Sequence, residues 1–316
     1  MQIPGLGRRA IFLIAASVML PLAVGTVSCS KSNSHLNEVP EFDGERAFAD
    51  LVTQVEFGPR IPGSDGHAAC ADWLASQMRA LADSTWEQTF VGNLPGITDS
   101  VAMVNIVGRF GADRAGRILI GAHWDTRPYA DRDPDTARHD EPVPGANDGG
   151  SGVAVLLEIA RLISRDSGTL PPIGVDVVFF DGEDAGRYSH DTEWSQGARY
   201  FAAHMNTRYE YVIIVDMVGD SDLNLYREGY SYQYARSLQD RIWRIAQLLG
   251  ETAFRPEVEG QIIDDHLPFL TRGIPAVDII DLRYPYWHTV SDTPDKCSAA
   301  SLRTVGRVVL QAIFEH

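Results

Sequence analysis

The run Val175-Asp176-Val177-Val178-Phe179-Phe180 is short, almost wholly apolar, and followed at once by Asp181-Gly182-Glu183-Asp184-Ala185-Gly186. An apolar run of this length reads as a strand buried on both faces, the condition of a parallel sheet covered by helices. Its end presents adjacent carboxylates flanked by glycines, an odd finish for a core element. Buried carboxylates are costly unless a metal ion or hydrogen bonds hold them. A solvated acidic turn is the alternative, because Asp and Gly are ordinary turn residues. The rest of the chain decides between the two.

From residue 117 the pattern alternates. Strands over 117–122, 174–180, 211–217 and 275–281 are interleaved with helices over 151–165, 195–205, 232–249, 264–271 and 298–314. Such alternation predicts a mainly parallel sheet with helices on both faces, in one α/β domain. Upstream, helices over 45–55 and 64–81, the second capped by Ser64, flank the rigid turn Phe57-Gly58-Pro59-Arg60-Ile61-Pro62-Gly63. Strands at 86–91 and 101–110, joined through a Gly/Pro loop, form an expected antiparallel pair.

The first 29 residues stand apart. Arg8 and Arg9 precede an apolar run from Ala10 to Val24, then small residues lead into Cys29. A basic start, a short apolar core and small residues make an export signal, too short for a stable membrane span. Small residues before Cys29 and the polar stretch after it predict a bacterial lipoprotein signal, with Cys29 lipidated; ordinary cleavage nearby is the alternative. Residues 30–42 read as a tether and 43–316 as the single catalytic domain, in an exported, periplasmic or cell-envelope protein. Cys70 and Cys297 either form one disulfide or remain buried thiols. The net charge of −16 argues against nucleic acid and is compatible with a cationic partner such as a peptide amino terminus.

Polar clusters fall at the expected carboxyl ends of strands, where α/β sheets bind ligands. His123 and Asp125, two apart in extended chain, point the same way, so that the carboxylate can orient the imidazole. The Gly-rich stretch from Pro144 to Gly152 carries Asp148 at the mouth of a helix and no lysine, which favours a cation over a phosphate. Glu183 and Asp184 come next, then Asp216 at a strand end, Asp264-Asp265-His266 opening a helix, and His288 in a loop. His123, Asp148, Asp184, Asp216 and His288 thus share one sheet edge, and mixed His/carboxylate ligation with an open position suits zinc. Trp124, Tyr284, Tyr286 and Trp287 supply either a dry aromatic pocket or a cap on the core. The acidic stretch Asp131–Glu141 reads as a solvated loop, a lid or a calcium-binding segment.

The stretches GAHWDTRP, GANDGGSG, VFFDGEDAG, VDMVG, DDHLPFLTRGIPAVDII and WHTVSDTPD, in this order, resemble the zinc aminopeptidase and glutaminyl cyclase superfamily. The resemblance runs from about Phe57 to the C-terminus and implies a three-layer α/β/α sandwich with a central mixed, mainly parallel twisted sheet. In the aminopeptidase branch it implies two zinc ions, one held by His123 and Asp216, the other by Asp184 and His288, bridged by Asp148. In the cyclase branch it implies one zinc on Asp148, Asp184 and His288, with Glu183 as proton shuttle and Asp216 and Asp264 supporting it. The substrate would be a peptide or protein amino terminus. DDHLPFL and the Trp-His of WHTVSD are more similar to the cyclases, and closer to bacterial than to animal ones. The animal pattern has tryptophan near Arg187-Tyr188-Ser189, histidine at Asp278 and glutamine at Ile263.

Overall fold

Buried apolar strands set the architecture. The computed structural model describes residues 36–164, 168, 170–187 and 191–316; the expected export signal and Cys29 lie outside them. The strands are β1 (Ser84–Leu94), β2 (Thr98–Phe110), β3 (Arg117–His123), β4 (Gly174–Phe180), β5 (Val212–Asp216), β6 (Leu225–Arg227), β7 (Phe254–Val258) and β8 (Ala276–Ile280). Six of them form one sheet in the order β1-β2-β4-β3-β5-β8. β1, β2 and β4 pair antiparallel, and β4, β3, β5 and β8 run parallel.

The helices are α1 (Gly44–Glu56), α2 (Asp65–Leu81), α3 (Ser151–Leu162), α4 (Gln196–His204), α5 (Gly229–Tyr234), α6 (Arg236–Leu249), α7 (Leu267–Leu270) and α8 (Ala299–Phe314). Every residue of β3 and β4 is buried, and successive side chains enter opposite layers. Ile118, Ile120, Val175 and Val177 join the core formed with α3 and α8, while Leu119, Val178 and Phe180 pack with Phe201 of α4 and Phe269 of α7. Each such side chain contributes about 1.5–3 kcal/mol on full burial. This is the expected three-layer α/β/α sandwich.

The chain steps from β3 sideways to β4, then back across β3 to β5. That reversal opens a crevice at the carboxyl end of β3, the place where doubly wound sheets bind ligands. Gly152 lets the crevice close tightly, because a Cβ there would overlap the Val215 carbonyl oxygen of β5.

Several expectations need correction. The helix expected over 232–249 breaks at Ala235, whose φ of −130° is not helical, and the Glu228 carboxylate caps the first piece by accepting from the Tyr230 and Ser231 amides. The helix expected over 264–271 shrinks to α7, leaving Asp264–His266 in a turn. β6 and β7 form a small parallel pair that periodicity misses, since Arg255, Pro256 and Glu257 of β7 are all exposed. Residues 36–42 are not a free tether: the Asn37 side chain donates to the Phe314 carbonyl (2.7 Å), and Phe42 is buried over Gly306 of α8. Cys70 and Cys297 are both free and buried. No helix among the described residues is long and apolar enough to cross a membrane.

Candidate metal centre and active site

Loops from four parallel strands and from the start of α3 converge at the crevice. His123 ends β3, Asp216 ends β5, Asp184 follows β4, Asp148 precedes α3, and His288 lies in the loop after β8. All five are buried. Nε2 of His288 is 3.1 Å from Asp184 Oδ1 and 3.7 Å from Asp148 Oδ2. On the other side of Asp148, Nε2 of His123 is 3.2 Å from Asp148 Oδ1 and 3.1 Å from Asp216 Oδ1. Asp148, Asp184 and His288 form one triad whose donor atoms lie within 4.8 Å of one another, and His123, Asp148 and Asp216 form a second. Buried Oδ2 atoms of Asp148 and Asp184 have no hydrogen-bond donor. A divalent cation is the partner such oxygens fit, and an N/O donor set of this kind matches zinc.

The backbone around these five residues is held by carboxylates outside both triads. Asp125 accepts from the amides of Glu183 (3.0 Å) and Asp184 (3.1 Å), and its Oδ1 is 3.6 Å from His123 Nδ1. Its hydrogen bonds fix the turn after β4, and the same carboxylate faces the imidazole as the spacing predicts. Asp292 does the same for the α3 loop, accepting from the amides of Asn147 (2.9 Å) and Asp148 (3.1 Å). Gly149 makes that loop possible: its φ is +85°, and a Cβ would overlap the Asp125 carbonyl. Arg60, wholly buried, ties the loop to the exit of β3 by donating to the carbonyls of Trp124, Pro144 and Gly145.

Glu183 stands beside both triads. The Ser195 hydroxyl donates to its Oε1 at 3.0 Å, and the amides of Ser195, Gln196 and Gly197 at the start of α4 donate to the carbonyls of Glu183, Gly182 and Asp181. Burial, and then the charge of Asp264, push the Glu183 carboxyl well above the usual range. Burial and Asp184 raise Asp148 to about 6, whereas His288 and Arg127 overcome burial and hold Asp184 below an ordinary aspartate. Asp264 therefore reaches Glu183 through charge. Asp264, His266 and Asp278 form a third buried cluster, in which burial and the charge of Asp264 push the Asp278 carboxyl well above the usual range.

The sequence profile described as Peptidase family M28 matches residues 105–313. The chain belongs to peptidase family M28. A solved structure of a glutaminyl cyclase from Bacteroides thetaiotaomicron is 34% identical, covers 88% of this chain and 100% of its own, and superposes with a TM-score of 0.83. A solved leucine aminopeptidase precursor from the same organism is also 34% identical, covers 89% and 100%, and has a TM-score of 0.84. The glutaminyl-peptide cyclotransferase-like protein of Mus musculus is 24% identical over 285 residues, 81% of this chain and 72% of its own.

In this M28 chain the aromatic residues divide differently from expectation. Trp124 lines no pocket: it is fully buried, stacked on His67 at 4.3 Å, and its indole donates to the Val104 carbonyl. Tyr284 is also buried, and its hydroxyl donates to Asp292 (2.7 Å), so it braces the carboxylate that holds Asp148. Trp287 is half-buried with its ring 4.0 Å from that of His288. Trp194, which pattern reading missed, lies parallel to the His288 ring at 6.2 Å. Ser195 and Asp292 were missed as well. Asp292 stands inside WHTVSDTPD, but a carboxylate that grips backbone amides has no spacing signature of its own.

Proposed function

We propose that the protein is a zinc-dependent glutaminyl-peptide cyclotransferase, converting N-terminal glutamine of peptides or proteins to pyroglutamate with release of ammonia. The observation that carries this reading is the buried triad of Asp148, Asp184 and His288, with the buried Glu183 next to Asp184 in the chain, in a protein resembling a bacterial glutaminyl cyclase over 88% of its length. Zinc on Asp148, Asp184 and His288, one ion per chain, would supply Lewis acidity toward the substrate γ-carbonyl.

The residues of the chain do the rest. Glu183 accepts a proton from the α-amine, whose nitrogen bonds to the carbonyl carbon of the γ-carboxamide. As the bond from that carbon to the amide nitrogen breaks, Glu183 returns the proton to departing ammonia. Its raised proton affinity suits a group that must hold a proton between these two events. No water takes part, so indoles of Trp194 and Trp287 beside His288 favour the reaction by keeping the mouth dry.

A two-zinc aminopeptidase is the second reading, favoured by the His123–Asp148–Asp216 triad that shares Asp148. Incubation with a Gln-Ala peptide separates the two by mass spectrometry. Cyclisation removes ammonia, a loss of about 17 Da, whereas hydrolysis releases free glutamine. Free glutamine together with two tightly bound zinc ions per chain would overturn the cyclase assignment.

From Arg8, Arg9 and the apolar run to Val24 we infer an exported, cell-envelope lipoprotein anchored at Cys29. Cys29→Ser is expected to release the protein from the membrane fraction; unchanged fractionation rejects the anchor.

A further inference from the structure

The acidic stretch after β3 is not a plain solvated loop, because its first residues turn inward onto the loop that carries His288. Asp131 Oδ1 is 3.4 Å from His288 Nδ1, the ring nitrogen facing away from Asp184 and Asp148. The next residue donates its amide to the His288 carbonyl (3.1 Å), and Asp133 accepts from the Val290 amide (3.2 Å). Three consecutive residues of one segment thus contact the loop of a histidine whose φ of +55° is unfavourable for a residue with a side chain. Asp131 is itself fixed: the wholly buried Arg127 guanidinium grips both its oxygens, at 2.9 and 2.6 Å. Another nitrogen of the same guanidinium donates to the Asp184 carbonyl (3.2 Å) and lies 3.6 Å from Asp184 Oδ1.

We propose that Asp131 is the positioning residue of the metal histidine, fixing the Nδ1–H tautomer of His288 so that Nε2 offers its lone pair beside Asp184. Arg127 links this carboxylate to Asp184, making one rigid unit of two metal ligands from different loops. Metal-bound histidines characteristically give their second N–H to a carboxylate, and removing that carboxylate typically costs 10–100-fold in metal affinity. The proposal rests on the reading of Asp148, Asp184 and His288 as a metal site.

Asparagine at this position cannot replace aspartate. Asp131 Oδ1 accepts from Arg127 and lies 3.4 Å from His288 Nδ1, while Oδ2 accepts from Arg127, so either orientation of an amide turns an NH₂ toward a donor. The test is zinc competition against a chromophoric chelator with the parent protein, Asp131→Asn, Asp131→Ser and His288→Ala. Cobalt(II) visible spectra of the same proteins report ligand geometry. Zinc binding weakened 10–100-fold in both Asp131 variants, with an altered cobalt spectrum, is the expected result. The serine variant leaves space for water at Arg127, because the Asp131 side chain is 21% exposed. Where a variant is less stable, the rise in unfolding temperature on adding zinc is compared instead. A smaller rise supports the proposal, and a rise equal to that of the parent overturns it. Loss of zinc in His288→Ala but not in the Asp131 variants rejects the positioning role alone. Full zinc binding in His288→Ala rejects the metal site itself.

Discussion

Glu183→Gln is expected to lower turnover of an N-terminal glutamine peptide by roughly 10²–10⁴-fold while leaving zinc content unchanged. That range corresponds to about 3–5 kcal/mol of transition-state stabilisation. The substitution is nearly isosteric, and the Ser195 hydroxyl, which donates to Oε1, can donate to the amide oxygen as well. Glu183 belongs to neither triad, so the proposed ligands are untouched. Its backbone is held independently, through the amide donated to Asp125 and the carbonyl that accepts from the Ser195 amide. What disappears is the ability to take a proton from the amine and hand it to ammonia. Stability is not expected to fall, because burial already disfavours the charged form of this group. Single-turnover kinetics beside zinc analysis decide the matter: wild-type turnover removes Glu183 from the chemistry, and lost zinc makes it a structural support of the metal site.

Much of this site was legible because its side chains sit where chain geometry leaves little freedom. A strand buried on both faces must end at the sheet edge, so residues directly after β3, β4 and β5 are brought together by topology alone. His123, Asp184 and Asp216 fall in that class, and Asp148 enters through a glycine loop that only a close approach explains. Roles played through backbone amides were not legible. Asp292 grips the amides of Asn147 and Asp148, groups that every residue possesses, so no side-chain pairing marks it. Asp125 was legible beside His123 but not as the acceptor for the Glu183 and Asp184 amides. Trp124 misled for a related reason: its neighbours His123 and Asp125 face the crevice, and period two turns the residue between them to the opposite side, onto His67. The long helix expected across Ala235 failed because periodicity reports a buried face, not the carboxylate cap at Glu228 that starts and limits α5. Asp131 sits at the head of a charged run, and charge alone argues for solvent. Only the fixed guanidinium of Arg127 turns it inward.

β4 holds its own polar group at the far end from the chemistry. Asp176 of β4 is fully buried, yet it accepts four hydrogen bonds: two from Arg109 (3.0 and 2.8 Å), one from Arg117 (2.9 Å) and one from the Tyr209 hydroxyl (2.7 Å). Asp176→Ala is expected to destabilise the fold by about 3–5 kcal/mol, read as a lowered urea midpoint at constant slope. Most of that cost comes from what is left behind. Arg117 is only 7% exposed and cannot turn to water, although it keeps its bonds to the carbonyls of Phe110 and Gly111. Arg109 is more open and recovers hydration, so it adds less. Replacing one member of a buried charge cluster is worse than never having built it, because the desolvation of the other members remains. Asp176 pairs with Arg109 on β2 and lies beside Leu119 early in β3, several residues before either strand reaches the crevice. The folded fraction of the variant should therefore keep wild-type kcat. A loss below about 1 kcal/mol would mean that the surrounding arginines find water, and that the apolar strand alone holds the sheet.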